Sequence, residues 1–342
     1  METIKLTQYS KAAGCGCKIA PAVLKEILKS DFDFTCKELL VGNKSNDDAA
    51  VYDLGNNQCL ISTTDFFMPV VDSPFDFGKV AATNAISDIY AMGGKPILAI
   101  AILGWPTEKL GTVTAKEVLD GAREVCAKAG IPLAGGHSIE STEPIFGLAV
   151  NGIVERKNLK QNNNISEDDS IYFTKALGTG VYSTALKRGV LKPEDYSVLL
   201  DSMCELNNAG FELGKLPYLS AMTDVTGFGF VGHLLEMIGD KNLTATIDKN
   251  KIKKFANLSE YVAQLIFPGN TTRNFNAFEK ETKGMIDLDF ITYCDPQTSG
   301  GLLFTINSSA ETEFEKWLKE KKFSAVKVGT VTKFREKKVE FI

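Results

Sequence analysis

The sequence has 342 residues, of which 44% are hydrophobic and 24% are charged, a composition typical of a globular protein large enough for two domains. Its 38 basic and 43 acidic side chains give a formal net charge of −5, so no global positive field draws the chain to nucleic acid or to anionic lipid. We therefore expect small molecules or other protein chains as partners, with no nucleic acid and no membrane.

The cellular compartment is indicated by the apolar runs and the cysteines. Residues 1–5 lack an apolar segment of signal-peptide type, and the longest apolar run, 96–106, is too short to cross a bilayer. Seven cysteines at irregular spacing favour free thiols in a reducing compartment over a disulfide framework. These features predict a cytoplasmic protein.

The first half of the chain alternates predicted helices and strands. Residues 49–54 and 58–64 predict a β-hairpin, because the intervening Gly-Asn-Asn tolerates positive φ. Apolar spacing predicts three helices, at 20–30, 77–91 and 116–129. The remaining predicted strands are a buried one at 96–103 and two others at 131–134 and 145–154. Together these elements predict a compact α/β layer.

A polar stretch at 155–169 breaks the apolar pattern and is the predicted domain boundary. Beyond it, Phe314 and Leu318 are expected to face the core from an amphipathic helix. Predicted strands in this half are 170–175, 244–248, 301–306, 325–331 and 339–342, and predicted helices are 180–188, 193–210, 228–237 and 311–321. The predicted organisation is a flexible arm at 1–19, an α/β domain at 20–156 and an α+β domain at 157–342.

Residues 14–18 (Gly-Cys-Gly-Cys-Lys) place two thiols and an amine between glycines. An adjacent amine such as Lys18 favours the thiolate, which is the reactive form of cysteine. Residues 8–13 show no helical or strand periodicity, which predicts a mobile arm able to close over a substrate. No second cysteine pair accompanies this one, and a disulfide between Cys15 and Cys17 would be strained, so a chemical role is favoured over a structural one.

Several aspartates lie at the ends of predicted elements. Asp47 and Asp48 precede the hairpin, Asp65 follows it, and Asp88 lies in an otherwise apolar helix. Each alone is compatible with a turn or a solvated helix face. A buried Asp88, however, would need a compensating charge, and Mg²⁺ prefers carboxylate oxygens. The sequence therefore suggests a magnesium site.

Two glycine-containing segments also suggest ligand contacts. Residues 135–138 follow a predicted strand, and such a turn exposes N–H groups to phosphate or ribose oxygens, although a plain tight turn fits equally well. At 223–229, Asp224 and Thr226 could cap a helix, and capping alone would account for Asp224. His233 is interpreted as a structural histidine. No Walker A motif is present, and the Gly-x-Gly-x-x-Gly pattern at 227–232 follows no predicted strand, so an ATP site would be of another type.

Taken together and in order, these segments strongly resemble the class I selenophosphate synthetases, also called selenide, water dikinases. The resemblance covers nearly the whole chain, and its long uninterrupted motifs are far more specific than a single triplet. The matching segments are 9–10, 14–18, 41–43, 47–51, 63–67, 84–88, 135–138, 223–229 and 294–301.

The resemblance implies the reaction ATP + selenide + water → selenophosphate + AMP + orthophosphate, which supplies selenium for selenocysteine and selenium-modified tRNA. It also implies the two-domain mixed α/β fold of aminoimidazole ribonucleotide synthetase, and a homodimer whose N-terminal sheets pair into a barrel. The alternative is a non-catalytic or different-substrate ATP-dependent homologue, such as an amide- or amidine-forming ligase. Such a ligase would not need the cysteines and lysine of residues 14–18.

The resemblance also assigns roles to individual residues. It makes Cys15 the catalytic thiol and Lys18 a contact to the nucleotide phosphates. The family's magnesium ligands correspond to Asp48, Asp88 and Asp224. Nucleotide-binding positions correspond to Ser45, Asn46, Asp47, Asp65, Asp88, Gly136, His137 and Ser138, the last three reaching the ATP of the partner subunit.

The sequence leaves several points open. Cys17 either assists Cys15 or is dispensable, and Lys11 stands where bacterial relatives often carry histidine. Cys15 either carries selenium or assists phosphoryl transfer. The selenium donor, the number of metal ions and a monovalent cation requirement are also undecided.

Overall fold

The computed structural model describes residues 4–10, 13–18, 21–27, 29, 34–42 and 47–342. Its helices are α1 Pro21–Ile27, α2 Pro74–Ala91, α3 Thr107–Lys128, α4 Thr179–Lys187, α5 Pro193–Cys204, α6 Ala209–Gly214, α7 Gly229–Ile238, α8 Leu258–Ala263, α9 Gly269–Phe278, α10 Asp289–Tyr293 and α11 Glu311–Lys321. The strands are β1 Leu39–Val41, β2 Ala50–Gly55, β3 Gln58–Phe67, β4 Lys95–Trp105, β5 Leu133–Glu140, β6 Ile145–Glu155, β7 Asp169–Phe173, β8 Leu219–Asp224, β9 Leu243–Ile247, β10 Thr282–Lys283, β11 Leu302–Asn307, β12 Val326–Lys333 and β13 Val339–Phe341. Short 3₁₀ turns occur at Leu6–Tyr9 and Gly14–Cys17.

The first sheet has six strands in the order β1-β2-β3-β6-β4-β5. All pairs are antiparallel except β4 with β5, which is parallel. Helix α2 covers one face, where the Ile89 side chain packs so closely on Gly152 that a Cβ at this glycine would lie only 2.3 Å from Ile89 Cγ2. The other face leaves apolar side chains in solvent: Phe66 is 51% exposed, and Ile97 and Ile100 are each 40% exposed.

The second sheet has seven strands in the order β10-β13-β9-β12-β7-β11-β8. Both of its faces are covered by apolar side chains. On one face, Phe173 of β7 packs edge-on against Phe230 of α7. On the other face, Tyr172 and Phe304 stack and both contact Phe314 of α11. The two sheets occupy separate parts of the chain, so the structure confirms the predicted mixed α/β fold.

Most long elements were predicted correctly. The hairpin forms from β2 and β3, with Asn56 and Asn57 at φ 51° and 62°, as its turn residues favour. Helix α2 begins at Pro74, three residues earlier than predicted, because Ser73 caps it by accepting a hydrogen bond from the Asp76 N–H. Phe314 is fully buried on α11.

Several predictions were wrong. The predicted helix at 193–210 is interrupted after Cys204, where α5 ends. Strand β4 is not buried on both faces, since it alternates between the core and solvent. Residues 135–138 form no turn: they lie inside β5, where His137 pairs with Ile102. Asp224 caps no helix, because it ends β8 and α7 begins at Gly229 without a side-chain cap. The start of the arm is packed, since Leu6 is fully buried and its N–H donates to the Asp72 carbonyl, and the flexibility of residues 1–19 stays a prediction.

Candidate active site

Three aspartates from distant parts of the chain meet between the two sheets. Asp48 precedes β2, Asp88 lies on α2, and Asp224 is the last residue of β8. One carboxylate oxygen from each lies within 4.8 Å of the others. The first domain therefore contributes two acidic side chains and the second domain contributes one. We call these residues the aspartate cluster.

Hydroxyl groups orient each carboxylate of the cluster. Thr63 Oγ1 donates to Asp88 Oδ2 at 2.5 Å. Thr223 Oγ1 donates to Asp48 Oδ1 at 2.7 Å, which connects the two domains. The third hydroxyl, that of Ser87, donates to Asp224 Oδ2, again across the domains. Each side chain therefore has a fixed direction before any ligand binds.

The carboxylates of the aspartate cluster lie close together, so their ionised forms repel one another. Burial, followed by repulsion from Asp224, raises the pKa of Asp48 well above its ordinary value. The pKa of Asp88 is also raised well above its ordinary value, mainly by burial and then by repulsion from Asp65 and from the two other aspartates of the cluster. The pKa of Asp224 is raised by burial, although the Ser87 hydrogen bond and His233 oppose that shift. Buried carboxylates of this kind call for a positive charge.

The donor set fits a divalent cation. Asp48 Oδ2 is shielded from solvent and has no hydrogen-bond partner among the residues that the structure describes. Carboxylate oxygens are the ligands that Mg²⁺ prefers, and it commonly uses only a few of them together with substrate phosphates. Asp48, Asp88 and Asp224 are thus the residues that could hold such an ion.

A lysine from the arm lies beside the cluster. Lys18 Nζ is 3.9 Å from Asp65 Oδ1, and the two side chains are 35% and 17% exposed. The other Asp65 oxygen accepts a hydrogen bond from Asn84 Nδ2 at 2.6 Å. The positive charge of Lys18 favours ionised Asp224 and so opposes part of the rise in the Asp224 pKa that burial causes. An ammonium group and three carboxylates therefore face the same region.

The 3₁₀ turn Gly14–Cys17 contacts both domains. The Gly14 N–H donates to the Met68 carbonyl at 3.0 Å. At Gly14, with φ +51°, a Cβ would lie only 2.4 Å from Thr298 Oγ1, so this position requires glycine. A Cβ at Gly16 would lie 3.7 Å from Pro296 Cγ. The arm thus contacts residues 294–301, while the side chain of Cys15 lies outside the described part of the chain.

The other predicted site residues are spread more widely. Asp47 Oδ1 accepts the Asn162 N–H at 2.7 Å, which ties the segment before β2 to the polar stretch between the domains. Gly136, His137 and Ser138 are exposed on β5, the edge strand of the first sheet. Three further residues that the sequence singled out lie outside the described residues: Lys11, Ser45 and Asn46.

Sequence reasoning missed the polar residues that support the cluster. A weak signal was present, because Ser87 and Thr223 each directly precede a candidate aspartate. Neither hydroxyl, however, binds the aspartate that follows it in sequence: Ser87 donates to Asp224, and Thr223 donates to Asp48. Both hydrogen bonds join the two domains, so they form only when the domains pack together.

Comparison with protein families matches both halves of the chain. Residues 46–154 match the AIR synthase related protein N-terminal domain, and residues 166–342 match the corresponding C-terminal domain. No helix among the described residues is long and apolar enough to cross a membrane.

Curated relatives are similar over nearly the full length. The chain is 53% identical over 314 residues to a selenide, water dikinase of Photobacterium profundum, covering 92% of this chain and 91% of the relative. It is 49% identical to one of Sulfurimonas denitrificans, covering 100% of both chains.

Solved structures of other enzymes share the fold. A thiamine-monophosphate kinase from Stenotrophomonas maltophilia superposes with a TM-score of 0.65 at 18% identity, covering 95% of this chain and 96% of that one. The hydrogenase maturation protein HypE in complex with ATP gives a TM-score of 0.63 at 15% identity, covering 85% and 82%. These likenesses establish the architecture only.

Proposed function

Because this chain belongs to the selenide, water dikinase family, we propose that it makes selenophosphate from selenide, water and ATP and releases AMP and orthophosphate. The observation that carries the site assignment is the aspartate cluster, whose carboxylates come from both domains and lie within 4.8 Å of one another. Lys18 next to the cluster supplies the positive group that an ATP-cleaving site needs.

Asp48, Asp88 and Asp224 would hold Mg²⁺. When bound, the metal supplies positive charge that offsets the charge of the triphosphate. Asp48 Oδ2 supports this role, because no described residue donates to it and a buried acceptor without a hydrogen-bond donor is otherwise costly. Both domains contribute ligands, so their packing sets the geometry of the site.

Lys18 would contact a phosphate group of the nucleotide. Its ammonium is only 3.9 Å from Asp65, yet its side chain is 35% exposed, so it can exchange the carboxylate for a phosphate oxygen. Asn84 holds Asp65 from the opposite side. Asp65 therefore keeps the lysine at the site before ATP arrives.

The arm would close the site against water. Its glycines are seated against Pro296 and Thr298, and Cys15 lies between them in the turn Gly14–Cys17. With the arm closed, ADP stays bound long enough for its hydrolysis to AMP and orthophosphate. Cys15 either holds selenium or assists phosphoryl transfer. Both roles need a reduced thiol, which the cytoplasm maintains.

A homodimer is supported by the exposed face of the first sheet. Phe66, Ile97 and Ile100 place apolar surface in solvent, and Ile139 on the edge strand β5 is 61% exposed. Contiguous exposed apolar surface is typical of an interface. Closing two such sheets on each other would place Gly136, His137 and Ser138 next to the partner's nucleotide site.

The test compares Cys15→Ser with Cys36→Ser, a control at another free thiol. Nucleotides are separated by chromatography after anaerobic incubation with ATP, Mg²⁺ and selenide. We expect wild type and Cys36→Ser to form AMP only when selenide is present, and Cys15→Ser to lose this activity. Full activity in Cys15→Ser would remove the proposed role of Cys15, and accumulation of ADP would favour a different-substrate homologue.

A further inference from the structure

We propose that Asn207 is a positioning residue for Asp224: through Ser87, it fixes the hydrogen bond that orients this carboxylate toward the metal. The inference rests on the proposed metal site. Asn207 lies between α5 and α6 and is distant in sequence from both of the residues that it would control.

Buried hydrogen bonds connect the three side chains. Asn207 Nδ2 donates to Ser87 Oγ at 2.8 Å, and the Ser87 hydroxyl donates to Asp224 Oδ2. Ser87 and Asp224 are each 1% exposed and Asn207 is 6% exposed. Water therefore has little access to replace either bond.

The direction of this relay is fixed by a backbone carbonyl. Asn207 Nδ2 also donates to the Gly300 carbonyl at 2.8 Å. A carbonyl only accepts hydrogen bonds, so the amide must present its NH₂ group on this side. That group has two hydrogens, and the second is directed at Ser87 Oγ. Since Ser87 accepts from Asn207, its single hydroxyl proton goes to Asp224.

Gly300 is itself held firmly. A Cβ at this position would lie 1.9 Å from the Val225 carbonyl, so its backbone packs directly against the residue that follows Asp224. The neighbouring Ser299 carbonyl accepts from the buried Lys175 Nζ at 2.8 Å. The relay therefore starts from a rigid point in the second domain and ends on a carboxylate of the same domain, passing through α2 of the first.

Such a relay affects metal binding rather than only folding. A carboxylate that accepts a fixed hydrogen bond on one oxygen presents the other oxygen in a defined direction. Groups that orient metal ligands in this way typically contribute about 10-fold or more to metal affinity. A purely structural asparagine would instead contribute only to the free energy of unfolding.

The test measures Mn²⁺ binding by electron paramagnetic resonance, with ADP present and without turnover. The variants are Asn207→Ala, Ser87→Ala, their double variant and Asp224→Asn. The control is Asn257→Ala, which removes a different amide hydrogen bond, the one at 2.9 Å to Asp195 Oδ1. Urea unfolding without metal reports the stability of each variant.

We expect Asn207→Ala and Ser87→Ala each to weaken Mn²⁺ binding about 10-fold. The double variant should be no weaker than Ser87→Ala, because Asn207 acts only through the serine. Asn257→Ala should bind Mn²⁺ as wild type does, whatever its stability.

The other possible results each refute a specific part of the inference, either the relay or the metal site on which it rests. Loss of binding in Asp224→Asn with wild-type affinity in Asn207→Ala would refute the relay and leave the metal site intact. Wild-type affinity in Asp224→Asn would refute the metal site itself. A further loss in the double variant would show that Asn207 acts by another route. If Asn207→Ala does not fold, Ser87→Ala still decides, since wild-type affinity in that variant refutes the relay.

Discussion

Replacing Asp48 by Asn should stabilise the metal-free protein while abolishing its activity. The Asp48 carboxyl lies near those of Asp88 and Asp224, and within the described part of the chain its Oδ2 has no hydrogen-bond partner. An amide of the same shape keeps the Oδ1 acceptor for Thr223 and can donate from its nitrogen to a neighbouring carboxylate. The substitution thus removes a repulsive charge and adds a donor.

The size of the effect follows from the separation of the charges. Two unit charges 4.8 Å apart repel by about 3 kcal/mol at an effective dielectric constant of about 20. The carboxyls take up protons rather than sustain the full repulsion, so the expected gain at pH 8 is on the order of 1 kcal/mol.

The raised pKa values also determine how the free energy of unfolding changes with pH. The raised pKa of Asp48 and Asp88 means that the folded protein keeps protons that the unfolded chain releases. Stability without metal therefore falls as pH rises above the ordinary aspartate range, by about 1.4 kcal/mol per pH unit for each such carboxyl. Asp48→Asn should make this slope shallower.

The assay is urea unfolding in EDTA at pH 5 and pH 8, with and without added Mg²⁺. Asp195→Asn is the matched control, because Asp195 is a buried carboxylate that accepts hydrogen bonds from Tyr182, Asn257 and Tyr261. Its replacement should destabilise the protein. If Asp48→Asn lowers stability in EDTA at pH 8 as the control does, the carboxylates do not repel one another and the reasoning is refuted.

Four further outcomes are expected. Lys18→Met should change the free energy of unfolding by less than about 1 kcal/mol, because its ion pair is partly exposed, yet slow ATP cleavage in a chromatographic assay. Gly14→Ala should unseat the arm, since its Cβ would meet Thr298 Oγ1, and trypsin should then cleave at the arm faster. Burial raises the pKa of Asp295 to about 8, so stability falls as pH rises toward 8, and Asp295→Asn should flatten that part of the unfolding profile. If the proposed homodimer forms through the exposed face of the first sheet, Ile100→Asp should yield monomer where wild type sediments as a dimer in analytical ultracentrifugation.

Local patterns predicted the long elements because their side chains carry the periodic signal. The hairpin and α2 are fixed by turn residues and apolar spacing, and both form within a few positions of their predicted bounds. The edge strand β5 was mistaken for a short strand and a turn, because Gly135 and Gly136 are typical turn formers. Both glycines have positive φ, but Gly136 lies inside the sheet, where a Cβ would be only 2.1 Å from the Ala101 carbonyl oxygen.

The aspartates of the site could be named from the sequence, whereas their supports could not. Asp88 drew attention as a carboxylate in an apolar helix, a signal that needs no partner. Asn207 gave no such signal, since an asparagine between two helices is ordinary. Its function arises only when the second domain places Gly300 beside Ser87. The division of the chain near residue 156 stays a prediction.

The most direct test of the proposed reaction is ³¹P NMR of the purified protein with ATP, Mg²⁺ and selenide under anaerobic conditions. Selenophosphate, AMP and orthophosphate in equal amounts are the predicted products. ADP as the end product, or ATP cleavage without a selenophosphate signal, would contradict the proposed function.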